Sequence, residues 1–250
     1  MTTDLSGPRA QLILKASFLV TVLIVAVALG CSKSPDPAPG NEPESVPNEP
    51  TVTAPEAVAL SRDAMANLDS FKFEMTHDSG FTMLSGGLEL TRAGGVVAPN
   101  GLDLEAEAKI GRAFVRVEAV VIDDRTWMTN PLTGAWSEIP PEDSPFSFLD
   151  PVKLVADILG DTQDAVFQEN PRASGDLTII GRIQATTLAA LVGIVDPDAV
   201  PAVTLTLSAD TYLLKKIVIV GVTQPEDDQD TVRVISLSEF DNPVSLKPPI

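Results

Sequence analysis

The chain carries one cysteine, one histidine and one tyrosine among its 250 residues. One thiol cannot close an internal disulfide, and a lone cysteine beside a lone histidine leaves no ligand set for structural zinc. A second histidine that could serve a nucleophile is missing, as are a Gly-rich phosphate loop and a G-x-S-x-G elbow. Basic residues are scarce. Lys and Arg total 17 against 35 Asp and Glu, a formal net charge of −18, and a chain this acidic is repelled by phosphate backbones. Nucleic acid is therefore set aside as a partner. Aromatic residues make up only 5% of the chain, so any core must be mostly aliphatic, and the length suits one large domain.

The lone cysteine has an informative context. Arg9 and Lys15 precede an apolar run from Ala16 to Leu29, which ends in Ala28-Leu29-Gly30-Cys31-Ser32. A basic start, a short apolar middle and a small residue at the cut are the layout of a secretory signal. The run is about 14 residues, short of the roughly 20 that a spanning helix needs. Gly30-Cys31 resembles a bacterial lipobox, which places residues 1–30 as a signal peptide and Cys31 as a lipidated first residue. Loss of residues 1–30 removes Arg9, Lys15 and Asp4, leaving 15 basic and 34 acidic residues, a net −19. Attachment must then rest on acyl chains of the palmitate type rather than on charge. From Cys31 to Pro55 the chain is rich in proline and acid with almost no large apolar side chain. It reads as a solvated tether with a typical span of roughly 27 Å.

Glu56–Ser70 is the first helical candidate, with Pro55 at its start and Ala57, Leu60, Ala64 and Leu68 at helical spacing. The period then becomes two. Phe71, Phe73 and Met75 oppose Lys72, Glu74 and Thr76; Leu102, Leu104, Ala106, Ala108 and Ile110 oppose Asp103, Glu105, Glu107 and Lys109; Val115, Val117, Ala119 and Val121 continue on a neighbouring strand. Gly86-Gly87, Gly94-Gly95 and Asn100-Gly101 read as hairpin punctuation. Arg125–Ile139 predicts a hairpin turning at Asn130–Gly134. Asp150-Pro151 predicts the cap and first residue of a helix to Leu159, with a stripe of Val152, Val155, Ile158 and Leu159. Strands follow at Thr178–Ala185, Val203–Leu207, Tyr212–Val222 and Val232–Phe240, a short helix spans Thr187–Val192, and Gln224–Asp230 reads as a charged loop. Consecutive strands with few helices between them indicate an antiparallel α+β domain over residues 56–250.

Chemistry-bearing clusters are thin. Ser79, His77 and Asp78 could form a triad on paper, yet neighbours on one strand point apart, so His77 reads as part of a solvated turn. Glu226, Asp227, Asp228 and Asp230 lack the glycine and distal bidentate glutamate of a calcium loop and read as a solvated tip. Asp123-Asp124 reads as a turn. No carboxylate pair stands out for glycoside hydrolysis. The expectation is a protein that is not an enzyme and has no cofactor or metal.

The lipobox and acidic tether, ALSRDAMANLDSFKFEMTHDSG, WSEIPPEDSPFSFLDPVKLVADIL, GDLTIIGRIQATTLAAL and SEFDNPVSLKPPI together resemble the LppX/LprG lipoprotein family. The resemblance covers about residues 56–250. It implies a strongly curved, half-open antiparallel sheet wrapping helices, similar to the periplasmic carrier LolA. It also implies an apolar cavity that binds acylated lipids or glycolipids in transit through the envelope. A monomer on the extracytoplasmic face of the cell membrane is the implied state, and an envelope transporter is a candidate partner. Each exposed methylene costs about 0.8 kcal/mol, so a 16-carbon chain crossing water unaided costs roughly 12 kcal/mol. Candidate cavity residues are Phe71, Phe73, Met75, Leu102, Leu104, Val115, Val117, Val155, Ile158 and Leu159. The same stripes would equally fill an ordinary core, which leaves open a lipid-tethered sensor or interaction module on the same fold.

Overall fold

A computed structural model describes residues 52–84, 87–144, 146–168 and 175–250. The signal-like segment, Cys31 and nearly all of the tether lie outside those residues. The elements are α1 (Ala54–Ala66), β1 (Phe71–Ser79), β2 (Thr82–Leu84), β3 (Leu88–Ala98), β4 (Gly101–Ile110), β5 (Ala113–Ile122), β6 (Arg125–Thr129) and β7 (Trp136–Ile139). Then come a 3-10 turn at Pro141–Asp143, α2 (Pro151–Asp161), β8 (Gln163–Phe167), β9 (Asp176–Arg182) and a 3-10 turn at Ala185–Leu188 leading into α3 (Ala189–Val192). The chain closes with β10 (Ala202–Ser208), β11 (Leu214–Val220) and β12 (Val232–Ser238). All strands join one antiparallel sheet in the order β7-β6-β5-β4-β3-β1-β12-β11-β10-β9-β8, with β2 added on β3. β1 is the hinge of this order. It pairs with β12 on one side and β3 on the other and so unites two meanders, β3–β7 and β8–β12. The ends β7 and β8 do not pair, and the sheet is a curved half-barrel around the helices.

Local sequence explains most boundaries. Thr53 and Glu56 form a capping box, the Thr53 hydroxyl accepting from the Glu56 N–H at 3.4 Å while the Glu56 carboxylate accepts from the Thr53 N–H at 2.8 Å. α1 therefore starts two residues earlier than the apolar spacing predicts. It stops at Ala66, where Asn67 turns its amide back on the Asp63 carbonyl. Its buried face is Ala54, Ala57, Val58, Ser61 and Met65, while Leu60 is exposed. Ala57 holds its expected place, whereas Leu68 lies beyond the helix end and packs against the core from there. Asp150 caps α2 as expected, accepting from the Lys153 N–H at 2.9 Å, with Pro151 in the first turn. The buried face of α2 includes Leu154 with Val155, Ile158 and Leu159, whereas Val152 points outward.

The strand alternations hold, and Phe71, Phe73 and Met75 are all buried. Gly94-Gly95 corrects the hairpin reading, because the pair lies inside β3. A Cβ on Gly95 would stand 1.9 Å from the Asp103 carbonyl oxygen. The glycine thus marks a close backbone approach within the sheet rather than a turn. The short edge strand β8, with Asp164 at positive φ, has no alternation to reveal it.

Candidate functional site

The concave face of β3–β6 is only partly covered. β7 ends at Ile139, Pro140 and Pro141 break the strand, and the chain crosses back over the sheet as a short segment before α2. The Leu149 N–H donates to the Phe146 carbonyl at 2.9 Å, and the Asp150 N–H donates to Ala190 of α3 at 3.3 Å. Between this segment and the sheet lies a groove of about 660 Å³. Leu102, Leu104, Ala119 and Val121 form its floor, and Phe146 and Leu149 form its wall. Thr126, Ser144, Ser147, Glu142 and Asp150 supply its polar positions, and among the described residues no lysine, arginine or histidine lines it. That volume falls in the range of small-molecule sites, roughly 300–1,000 Å³.

Under the same segment sits a separate apolar void of about 30 Å³ between Phe73, Met75, Val155, Ile235 and the rings of Phe146 and Phe148. It has room for little more than one water-sized group. Phe146 and Leu149 therefore form a partition, lining the open groove on one side and the small apolar void on the other. Phe148 is seated against Gly193, which has φ +75° and whose Cβ would stand 3.1 Å from the ring.

Among the ten sequence-predicted cavity residues, Leu102 and Leu104 line the groove, and Phe73, Met75 and Val155 line the small void. Phe71 and Ile158 are buried in the core, and Leu159 backs a surface hollow between α1 and α2. Val115 and Val117 are half-buried on the inward face of β5 and border neither space. The sequence reading missed Phe146 and Leu149. Their one signal was a cluster of apolar residues in the proline-bounded stretch SPFSFLD, which has no helical or strand period.

A second polar cluster corrects two expectations. Gln224–Asp230 is not wholly a solvated tip, for Asp227 and Arg233 form a buried ion pair at 2.7 Å with side chains 3% and 0% exposed. Asp227 also accepts from the Thr223 hydroxyl and from the N–H groups of Thr223 and Gln224. Arg233 donates to the Thr82 hydroxyl at 2.8 Å, the Phe81 carbonyl at 2.9 Å and the Gln224 side-chain oxygen at 3.2 Å. Gln224 in turn accepts from the Met83 N–H and donates to the carbonyls of Met83 and Val192. The network ties β2 and α3 to β12. Burial raises the Asp227 carboxyl, but hydrogen bonds and the charge of Arg233 outweigh it and hold the group below the usual carboxylate range. Glu226, Asp228 and Asp230 remain exposed.

His77 belongs to β1 rather than to a turn. Its ring nitrogens lie 3.1 Å from the Thr91 carbonyl and 3.0 Å from the Thr82 hydroxyl, away from Ser79 and Asp78, so the paper triad is not assembled. Burial, reinforced by the charge of Arg233, lowers its pKa. Among the described residues no three His, Cys, Asp or Glu side chains converge on a metal site, and no helix is long and apolar enough to cross a membrane.

No family model and no curated protein matches the chain. Among solved structures it is similar to LprF from Mycobacterium bovis, at 19% identity and a TM-score of 0.56 over 78% of this chain and 96% of that one. It is also similar to the lipoprotein LppX from Mycobacterium tuberculosis, at 17% identity and a TM-score of 0.53 over 78% and 98% of the two chains. Identities at this level speak to architecture, and on that footing the chain has the fold of LprF and LppX.

Proposed function

We propose that the chain is an envelope lipoprotein that holds the hydrocarbon part of an acylated lipid or glycolipid in the groove between β3–β6 and the segment before α2. It would do so without chemistry on the lipid, as an anchored carrier on the extracytoplasmic side of the membrane. The groove carries this reading. A half-open, largely apolar trough of about 660 Å³ offers a tail the surface that water denies it, at about 25 cal/mol per Å² removed from solvent. The shared fold with a lipoprotein, LppX, supports it, and so does the lipobox-like Gly30-Cys31. The small void beneath the groove cannot take a tail as it stands, so capacity rests on the open trough and on whether Phe146 yields.

The test is lipid exchange. The purified chain, stripped of lipid, is titrated with a fluorescent 16-carbon fatty acid, and Val121→Phe, which adds bulk to a half-buried groove position, is compared with it. Saturable uptake that the substitution reduces supports the reading. Absence of uptake by a folded chain overturns it in favour of a lipid-tethered interaction module. Mass spectrometry of the native protein checks the anchor, since an unmodified Cys31 thiol is incompatible with it.

A further inference from the structure

Among the described residues the two most exposed large apolar side chains are Leu132, at 88%, and Phe114, at 77%. Both stand at hairpin ends. β5 is antiparallel to β4 and to β6, so the β4–β5 turn at Gly111-Arg112 and the β6–β7 turn at Asn130–Gly134 project from the same edge of the sheet. The register sharpens this. Ala119 faces Met128, so the chain leaving β6 toward Leu132 runs alongside the stretch of β5 that leads back to Phe114. Ile110, 47% exposed, continues the inward row of Ala106 and Ala108. Phe114, opposite Lys109, belongs to the outward row with Arg116. The tip of the β4–β5 hairpin is thus apolar on both faces.

Its charges have the sign opposite to the chain as a whole. Lys109 holds its ammonium 5.2 Å from the Phe114 ring centroid, and Arg112 occupies the turn. Neither forms an ion pair among the described residues, although Glu89 faces Lys109 across β3–β4, and Arg116 is bound to Glu105. At physiological salt a charge acts over about 8 Å, so Glu89 offsets part of Lys109, while acids farther along the domain do not cancel the remaining positive charge at a surface touching the tip.

We propose that the two hairpin ends form a bilayer-contact surface, with Phe114, Ile110 and Leu132 entering the interfacial layer and Lys109 and Arg112 meeting lipid phosphates. A folded protein partner would cover one face of a strand pair, whereas a fluid interface surrounds a tip that is apolar on both. Cations on long stems beside buried rings are the arrangement that lets the charge stay in the headgroup layer. On β4 the groove is lined from Gly101 to Leu104, which at the rise of an extended strand lies roughly 20 Å or more from this tip. The two sites therefore fail or succeed separately.

Hydrogen exchange of the full chain, with and without vesicles of equal parts phosphatidylcholine and phosphatidylglycerol, reads the contact directly, whatever the N-terminus does. Amides at 110–114 and 131–134 are expected to slow while those of β9–β11 do not. Phe114→Ser with Leu132→Ser should abolish the slowing at an unchanged melting temperature, each substitution weakening partition about tenfold. Lys109→Gln with Arg112→Gln should remove its salt dependence. Unchanged exchange at the tips, slowing confined to another face, or slowing that survives the double serine variant would overturn the proposal.

Discussion

In the β8–β12 meander, the inward side chains of β9, β10 and β11 are sealed: Leu177, Ile179, Val203, Leu205, Leu207, Leu214, Ile217 and Ile219 are all exposed by 3% or less. On the corresponding face of the β3–β7 meander, Leu102, Val115, Val117 and Val121 stay half-exposed. Strand chemistry does not separate the two halves, since both alternate aliphatic and polar residues. What differs is the cover. α1 packs on α2 and β8, and α2 packs on the turn leading to α3, while the strands β4–β6 have the short segment around Phe146 above them. The domain thus places its stability in one meander and its vacant apolar surface in the other, with β1 between.

The strongest way to break that division is to attack the polar lock beside β1. Arg233→Ala leaves Asp227 buried without its partner and releases Thr82, Phe81 and Gln224 together. Loss of one member of a buried pair costs about 3–5 kcal/mol, and chemical denaturation of the variant should show a midpoint shift of that order. If the midpoint is unmoved, the network is an ornament and the seam between meanders is held by apolar packing alone.

The packed and open halves should then answer differently to the same truncation. Leu205→Ala removes a side chain with no exposure and should destabilise by about 2–5 kcal/mol. Leu102→Ala on the groove floor should cost about 1 kcal/mol or less, because that side chain is already half in water, while it weakens fatty-acid uptake. Equal costs at the two sites would mean that the groove is a closed core in solution. Asp150→Ala comes next, at about 1 kcal/mol for a lost helix cap. It frays the start of α2 where the groove wall is anchored, and thermal melting with and without ligand separates the two effects.

Period and punctuation carried most of this architecture. The alternation of Phe71, Phe73 and Met75, the Asp150-Pro151 start of α2 and the Asn130–Gly134 turn are local signals, and local signals survive folding. The groove was only half legible. Leu102 and Leu104 lie on a periodic strand, whereas Phe146 and Leu149 lie in a segment whose position depends on two prolines and a contact with α3, which no local rule encodes. The Asp227–Arg233 pair was hidden for a related reason. An acidic run such as QPEDDQD reads as solvated until a cation six residues on is known to face inward. Gly94-Gly95 was visible but ambiguous, since a glycine pair marks a turn and a close strand approach alike.

The smallest expected effect is the pH response of the single histidine, and it sharpens the comparison because its sign is fixed by burial at the seam between the two halves. His77 is packed between β1, β2 and β3, facing the Thr91 carbonyl, the Thr82 hydroxyl and, beyond them, Arg233 and Asp227. Burial foremost, and then the Arg233 charge, lower its folded pKa below the ordinary value of 6.5. The unfolded chain therefore binds a proton first. Stability is fully present above about pH 6.5 and declines as pH falls toward the lowered folded value. Asp227, held low by Arg233, adds a second loss only below about pH 4. On the open half Asp103 runs the other way: burial, with Glu118 and Glu105 nearby, raises its pKa, so its contribution is present in acid and lost as pH rises through the raised value. Melting temperatures from pH 7.5 down to pH 5 should thus fall in the parent chain relative to His77→Asn, which keeps a polar group beside Thr82 and the Asp103 response but lacks the histidine titration. A parent profile parallel to that of the variant across this window would place His77 in solvent and remove the histidine from the lock around Arg233.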